Sequence, residues 1–505
     1  MRLDQRKMGV LLTYVSEAIK ILTTLVYTPL MLRLLGDNEY GLYQTVSSTV
    51  AYLSLLSLGF GSAYVRYHSR YRVREDHDGI ARLNGMFMLV FASMSVICLV
   101  AGGVMIGNAR AVFGDKLTNA EVHQAKLLMA VLVLSMAVTF PNSVFDCYVT
   151  AHEKFIFQKL LIVVQNLLNP CLTLPLLFLG YGSVAVVTVS AVLTLVVFVS
   201  NLCFCLKKLK MKFAFRGLEF SLLKEMGAFT FFIFLNQIID QVNWAVDKFL
   251  LVRMIGPAIV TVYSVGAQIN SLYVQMSTAV SSVFIPKVNQ IVASSDDNRE
   301  LTQLMAKVGR IQFIILALIL TGFTFFGKPF IGLWAGAGKE QAYHVALLLM
   351  FPVTVSLVQN LGIEIQRAKN MHRARSVVYA CLAVGNVMVS ILLIPHLGVI
   401  GAAAGTAIAL VVGNGLFMNW YYHKKIGLNM IAFWKEIIKL VPAVAVVCLF
   451  GWLYTWLVPV KSWLMLALSA GLFAAVYALV IWLLGLNPYE KQLAKKMLRK
   501  LPGVK

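Results

Sequence analysis

Glu17 and Lys20 stand three residues apart in a stretch that is otherwise largely apolar. On a helix that spacing puts both charges on one face. In a helix that crosses lipid, such charges are costly and turn toward the protein interior or toward water. A second group comprises Gln237, Asp240, Asp247 and Lys248, and a third polar run carries Ser264, Gln268, Asn270, Ser271 and Gln275. Carboxylate and ammonium groups in such places can pair with each other, carry a proton or small cation, or hold a charged part of a substrate. Arg33 and Arg253 end two apolar stretches on one side and Arg66 ends another on the opposite side. A guanidinium suits phosphate by bidentate geometry, and each arginine can equally anchor a lipid headgroup. Asp146 and the i,i+3 pair Glu364 and Arg367 close apolar stretches where a gate would lie, and Asp247 and Lys248 are further gate or coupling candidates. No Ser/His/Asp set and no zinc-ligand spacing occurs. Gly332 to Gly338-Lys339-Glu340 is one residue too long for a phosphate loop and lacks Ser or Thr after the lysine. No catalytic residue, metal ligand or ATP site is expected, and the chain reads as a non-enzyme.

The elements that must position these residues are long apolar helices. Of 505 residues, 59% are hydrophobic and 13% charged, against roughly 25% charged in soluble domains. The charges fall in clusters between apolar runs long enough to cross the ~30 Å hydrocarbon layer as helices. Backbone groups in lipid must bond within their own segment, which selects helices, and the alternating ten-residue pattern of barrel strands is missing. The expected fold is an all-α polytopic membrane protein of about fourteen spans. Those used below are 8–32, 41–65, 226–252 and 258–285. Of the 44 Lys and Arg, 34 fall in segments assigned inside and 8 outside, so both termini are expected in the cytoplasm. The net charge of +22 therefore flanks spans, and nucleic acid is not an expected partner. The basic tail from Lys491 to Lys505 suits anionic lipid. All seven cysteines fall within expected spans and read as packing thiols. The first helix is expected to be retained, because no small-residue cleavage site precedes or follows it.

An internal repeat organises the chain. Arg33-Leu34-Leu35-Gly36 with Tyr43 recurs at an offset of 220 as Arg253-Met254-Ile255-Gly256 with Tyr263. Both copies begin inside, so the repeat is parallel, and a six-span unit used twice implies a pseudo-two-fold axis along the membrane normal. The expected divisions are a lobe at 1–215, a second at 216–425, and two added helices with the basic tail at 426–505. The polar residues concentrate in spans one, two, seven and eight, which are repeat-equivalent pairs. They are expected to line a hydrophilic cavity at the interface of the halves. The offset maps Lys20 onto Asp240 and Glu17 onto Gln237, so Lys20 and Asp240 can pair in one access state and part when an anionic substrate recruits the lysine.

Several segments form an ordered set: Arg33-Leu34-Leu35-Gly36-Asp37-Asn38-Glu39-Tyr40-Gly41-Leu42-Tyr43, then Leu58-Gly59-Phe60-Gly61 with Val65-Arg66-Tyr67, and Phe145-Asp146 with Ala151-His152-Glu153-Lys154-Phe155. Asp247-Lys248-Phe249-Leu250-Leu251 with Gly256 and Tyr263, and Gly398-Val399-Ile400-Gly401-Ala402-Ala403, complete it. Together these segments resemble polysaccharide flippases of the Wzx type. That family shares a superfamily with the multidrug (MATE) antiporters and the lipid II flippase. The resemblance implies two six-helix lobes, alternating access, and an undecaprenyl-pyrophosphate-linked oligosaccharide moved from inner to outer leaflet. It implies a cationic cavity in which Lys20, Arg33, Arg66 and Arg253 could serve. No cofactor is expected beyond a coupling proton or sodium ion, and the expected partners are the lipid-linked substrate, membrane lipids and other polysaccharide-assembly proteins. The competing expectation is a MATE-like cation-coupled drug or metabolite antiporter, with small cations held by Asp240 and Glu17.

Overall fold

The computed structural model describes residues 5–57, 60–218, 221–369, 371, 373–488 and 490–492. The side chains of some helical residues, Asp240 among them, also lie outside the described set. The described chain is almost wholly helical. It divides into two compact units, Met1–Ser264 with Val387–Ala402, and Val265–Asn386 with Ala403–Lys505.

The first unit begins with α1 (Gln5–Ala51), a short 3-10 turn, α2 (Phe60–Val73), α3 (His77–Gly107) and the single-turn α4 (Ala109–Phe113). It continues with α5 (Asn119–Ala151), α6 (Phe155–Phe178), α7 (Gly182–Cys203), α8 (Ser221–Met254) and the start of α9 (Pro257–Ser282). Helix starts are written locally. Asp76 accepts from the Gly79 N–H at the head of α3, and Thr118 forms a reciprocal capping box with Glu121 at the head of α5. Small residues set the packing distances. A side chain at Gly102 of α3 would lie 2.4 Å from Val133 of α5, so these helices touch nearly backbone to side chain.

Helix α1 runs through what the sequence predicts as two spans and a connecting loop. It is broken at Gly36, whose φ of 74° and ψ of 173° fit no helix. The repeat-equivalent Gly256 also has positive φ, 134°, and separates α8 from α9. The shared glycine of the repeat therefore has one cause: both copies need a left-handed backbone at the turn between two helices.

The second unit continues from α9 through α10 (Ile285–Ser294), α11 (Asn298–Ala335), α12 (Gln341–Val358), α13 (Leu361–Ala368) and α14 (Arg373–Leu397). It then takes in α15 (Val399–Leu410), α16 (Met418–Tyr421), α17 (Met430–Ile438), α18 (Val441–Leu457) and α19 (Trp463–Val480), with parts of α14 and α15 assigned to the first unit. Its core joins α11 to the last two helices through Phe326, Val447, Phe473 and Tyr477. Gly451 lets α18 approach to where a side chain would sit 2.4 Å from the ring of Phe325. A buried charge ties this bundle together. Arg310, 4% exposed, donates to both carboxylate oxygens of Glu490 at 2.6 and 2.9 Å and to the carbonyls of Gly485 and Glu436.

Eleven helices among the described residues are long and apolar enough to cross a membrane. That is three fewer than the fourteen spans expected, and the difference lies in identifiable places. The first of the eleven counts both sides of the Gly36 break as one, and α8 and α9 are not among the eleven.

Arg310→Met is expected to leave Glu490 buried and uncompensated, at a cost of about 3–5 kcal/mol, read as a fall in the thermal unfolding midpoint in detergent. Arg310→Met combined with Glu490→Leu should recover most of that loss. A double variant as unstable as the single one would show that the network does not act through charge.

Candidate functional site

The segment after the Gly36 break is fixed by contacts of unusual closeness. A side chain at Gly41 would lie 1.9 Å from the carbonyl oxygen of Pro257, so only glycine lets α1 meet the first turn of α9 here. One turn away the Thr261 hydroxyl donates to the Asp37 carbonyl at 2.6 Å. On the other side, Glu39 Oε1 accepts from the Ser183 N–H at 2.6 Å, from the Ser183 hydroxyl at 2.8 Å and from Gln124 Nε2 at 2.7 Å. Gly182, with φ of 61°, brings the start of α7 close enough that any side chain would meet that carboxylate at 2.4 Å. The 37–43 segment is thus a set of packing and capping contacts across α1, α5, α7 and α9.

This arrangement places Gln44 beside Lys248. Lys248 Nζ donates to Gln44 Oε1 at 3.1 Å, and Gln44 Nε2 donates to the buried Tyr40 hydroxyl at 2.9 Å. Adjacent residues on a helix point to different sides, and Asp247 faces the other way. It is fully buried. The Tyr263 hydroxyl donates to its Oδ2 at 2.5 Å and the Ser390 hydroxyl to its Oδ1 at 3.4 Å. A carboxylate among hydroxyls can take up a proton or present hard oxygen ligands to a small cation. Among the described residues no group of three or more His, Cys, Asp or Glu could hold a metal ion.

The other sequence candidates are more scattered. Glu17, Lys20, Arg33 and Arg66 are all exposed. Gln237 is half-buried, and its Oε1 has no hydrogen-bond partner among the described residues. Gln268 is half-buried on the part of α9 in the second unit. Arg253 is exposed and donates to the Ala111 carbonyl at 3.3 Å, which pins the α4 turn. Asp146 accepts from Gln158 Nε2 at 2.9 Å, joining the end of α5 to the start of α6. Glu364 and Arg367 pair with each other at 2.8 Å, with the arginine side chain 65% exposed, an arrangement worth little by itself. Asp240, proposed partner of Lys20, falls outside the residues whose side chains are described. Sequence reasoning did not single out Ser390, a lone serine in an apolar run. Gln44 gives no signal of its own in the sequence, and Tyr263 enters there only as a repeat marker.

Comparison with known proteins now gives the family. Residues 7–292, more than half of the chain, match the family model described as polysaccharide biosynthesis protein. The chain belongs to that family. The uncharacterised membrane protein EpsK of Bacillus subtilis (strain 168) is 23% identical over 498 residues, covering 94% of both chains. A Shigella flexneri protein named as an O-antigen transporter is 18% identical over 406 residues, covering 77% of this chain and 90% of its own. Among solved structures, the inward closed conformation of the lipid II flippase MurJ superposes with a TM-score of 0.73 at 15% identity, covering 94% of this chain and 98% of its own. At that identity the match shows the fold, which is the one that the Wzx-type resemblance implies. The chain is a multi-pass membrane protein of the polysaccharide biosynthesis protein family.

Gly41→Ala is expected to force α1 away from Pro257 and lower the unfolding midpoint clearly. Gly332→Ala, where the added methyl meets nothing within 4 Å, should leave the midpoint unchanged or slightly higher. Equal midpoints for the two variants would remove the close approach from the account.

Proposed function

We propose that the chain is a flippase for an undecaprenyl-pyrophosphate-linked oligosaccharide. It moves the substrate from the inner to the outer leaflet of a bacterial cell membrane during cell-surface polysaccharide synthesis, and both termini lie in the cytoplasm. The observation that carries this reading is the coincidence of two findings over most of one chain: the polysaccharide biosynthesis family match and the lipid II flippase fold. The Shigella relative named as an O-antigen transporter supports the same substrate class.

The physical task is to let a charged, hydrated head cross while the polyprenyl tail stays in lipid. Alternating access does this if the head meets polar and cationic groups in each state. Lys20, Arg33, Arg66 and Arg253 are the cations proposed to meet the pyrophosphate, and their exposure supports that role. The segment after Gly36 together with α8 and α9 are proposed to cross the membrane as well, which gives fourteen spans and keeps the polar helices of the repeat on the pathway. Asp247 is proposed as the coupling residue for a proton or sodium ion. The support is its burial and its hydroxyl partners, which change character when the carboxylate is protonated or binds a cation. Other polysaccharide-assembly proteins are proposed partners.

The test is translocation in proteoliposomes, with a fluorescent polyprenyl-pyrophosphate oligosaccharide and a membrane-impermeant quencher. The intact protein should expose the inner-leaflet substrate, and Lys20→Ala should slow this at least about tenfold, the loss expected for one charge-assisted contact to pyrophosphate. No translocation, with uptake of a small amine on a cation gradient instead, would replace the flippase reading by the antiporter one.

A further inference from the structure

A second cluster of charge contains none of the residues assigned to translocation, although Arg66 precedes its His68 by two positions on α2. At the ends of α2, α3 and α5 and beside the segment that follows α7, within the first unit, is a cavity of about 280 Å³. Its lining includes His68, Arg72, His77, His152, Lys210 and Lys212, and no carboxylate. The acids nearest in sequence are Glu75, Asp76, Asp78 and Glu153. Asp76 is occupied in capping α3, where it accepts from the Gly79 N–H at 2.7 Å.

His68 is the unusual member. It is fully buried, and neither ring nitrogen has a hydrogen-bond partner among the described residues. A buried imidazole normally satisfies at least one of them, because an unpaired polar group out of water is costly. Its ring centroid stands 5.0 Å from that of His152 and 5.4 Å from that of Tyr148. The His152 ring is already oriented, since its Nδ1 donates to the Tyr148 carbonyl at 2.9 Å. Arg72 is held in place through a 3.2 Å bond from Nη1 to the Ala151 carbonyl. Burial, then the neighbouring His152 and Arg72, hold His68 well below the usual histidine range, at about 4. The described lining thus gathers Arg72, Lys210, Lys212 and three imidazoles, and no carboxylate.

We propose that this cavity binds a phosphate group, with His68 donating from its depth and Arg72, Lys210 and Lys212 supplying charge at its mouth. Phosphate oxygens accept from all of these donors and offset the mutual repulsion of the cations. The volume accommodates a phosphate or diphosphate, or the phosphoglycerol part of a lipid. The position allows either source: α3 starts at His77 and α5 ends at Ala151, so the cavity opens at the boundary of the spanning helices. The assignment rests on this cluster alone and stands whatever substrate is translocated.

The full-length protein in nanodiscs tests it. One arm titrates inorganic pyrophosphate into protein held in neutral phosphatidylcholine, with sodium chloride at matched ionic strength as control. The other arm compares phosphatidylcholine with phosphatidylglycerol-containing nanodiscs. Thermal unfolding is read for the intact protein, for Arg72→Gln combined with Lys212→Gln, and for His68→Phe, which keeps the ring bulk and removes the unpartnered nitrogens. A saturable stabilisation by pyrophosphate, weakened at least about tenfold in apparent affinity by either variant, supports a soluble phosphate ligand. Stabilisation by phosphatidylglycerol alone, lost in the same variants, supports a lipid headgroup. No stabilisation in either arm, or stabilisation that both variants retain in full, overturns the proposal.

Discussion

The approach of Gly41 to the Pro257 carbonyl is the constraint on which the candidate site depends. It joins the continuation of α1 to the α8–α9 turn at a distance that no side chain permits. Once that contact is made, the Asp37 carbonyl meets Thr261, Gln44 meets Lys248, and Glu39 collects three donors from α5 and α7. The Gly36 and Gly256 breaks on either side free the backbone to make the turns. The clamp is built mainly from backbone and short polar side chains, and it holds in place a charged pair that lipid alone would reject.

The pair is resolved by helix geometry. Asp247 and Lys248 are neighbours in sequence, yet they serve different surroundings. The lysine is offered a neutral amide on α1 and the carboxylate is offered hydroxyls from α9 and α14. A buried carboxylate held by hydroxyls can gain or lose a cation without rebuilding its surroundings, and that is the property an ion-coupled transporter needs. By contrast, Arg310 is bound by a bidentate carboxylate and two carbonyls. Such saturation suits a fixed strut.

Much of the fold was legible in the sequence, because lipid admits few solutions. Long apolar runs must be helices. The glycine of the repeat was visible as a pattern, and its positive φ gives the cause. The count of fourteen differs from the eleven long apolar helices at the Gly36 break and at α8 and α9. The site was legible only in part. Asp247 and Lys248 stood out because charge in a span is rare. Ser390 and Gln44 did not, because a single serine or glutamine gives no signal until packing brings it to a carboxylate or an ammonium group. His68 was invisible for the same reason: its meaning lies in burial without a partner, which only coordinates reveal. Asp146 and the Glu364 and Arg367 pair stood out in the sequence for their charge, and the structure gives them local partners.

The central proposal is that a charged substrate head is moved by a cycle coupled through Asp247. The most direct measurement is the rate of lipid-linked oligosaccharide translocation in proteoliposomes under imposed proton and sodium gradients, for the intact protein and for Asp247→Asn. The account predicts that one of the two gradients accelerates the intact protein, and that Asp247→Asn, correctly folded, moves substrate at a rate neither gradient changes. An intact protein indifferent to both gradients, or a variant that responds to them as the intact protein does, would contradict it.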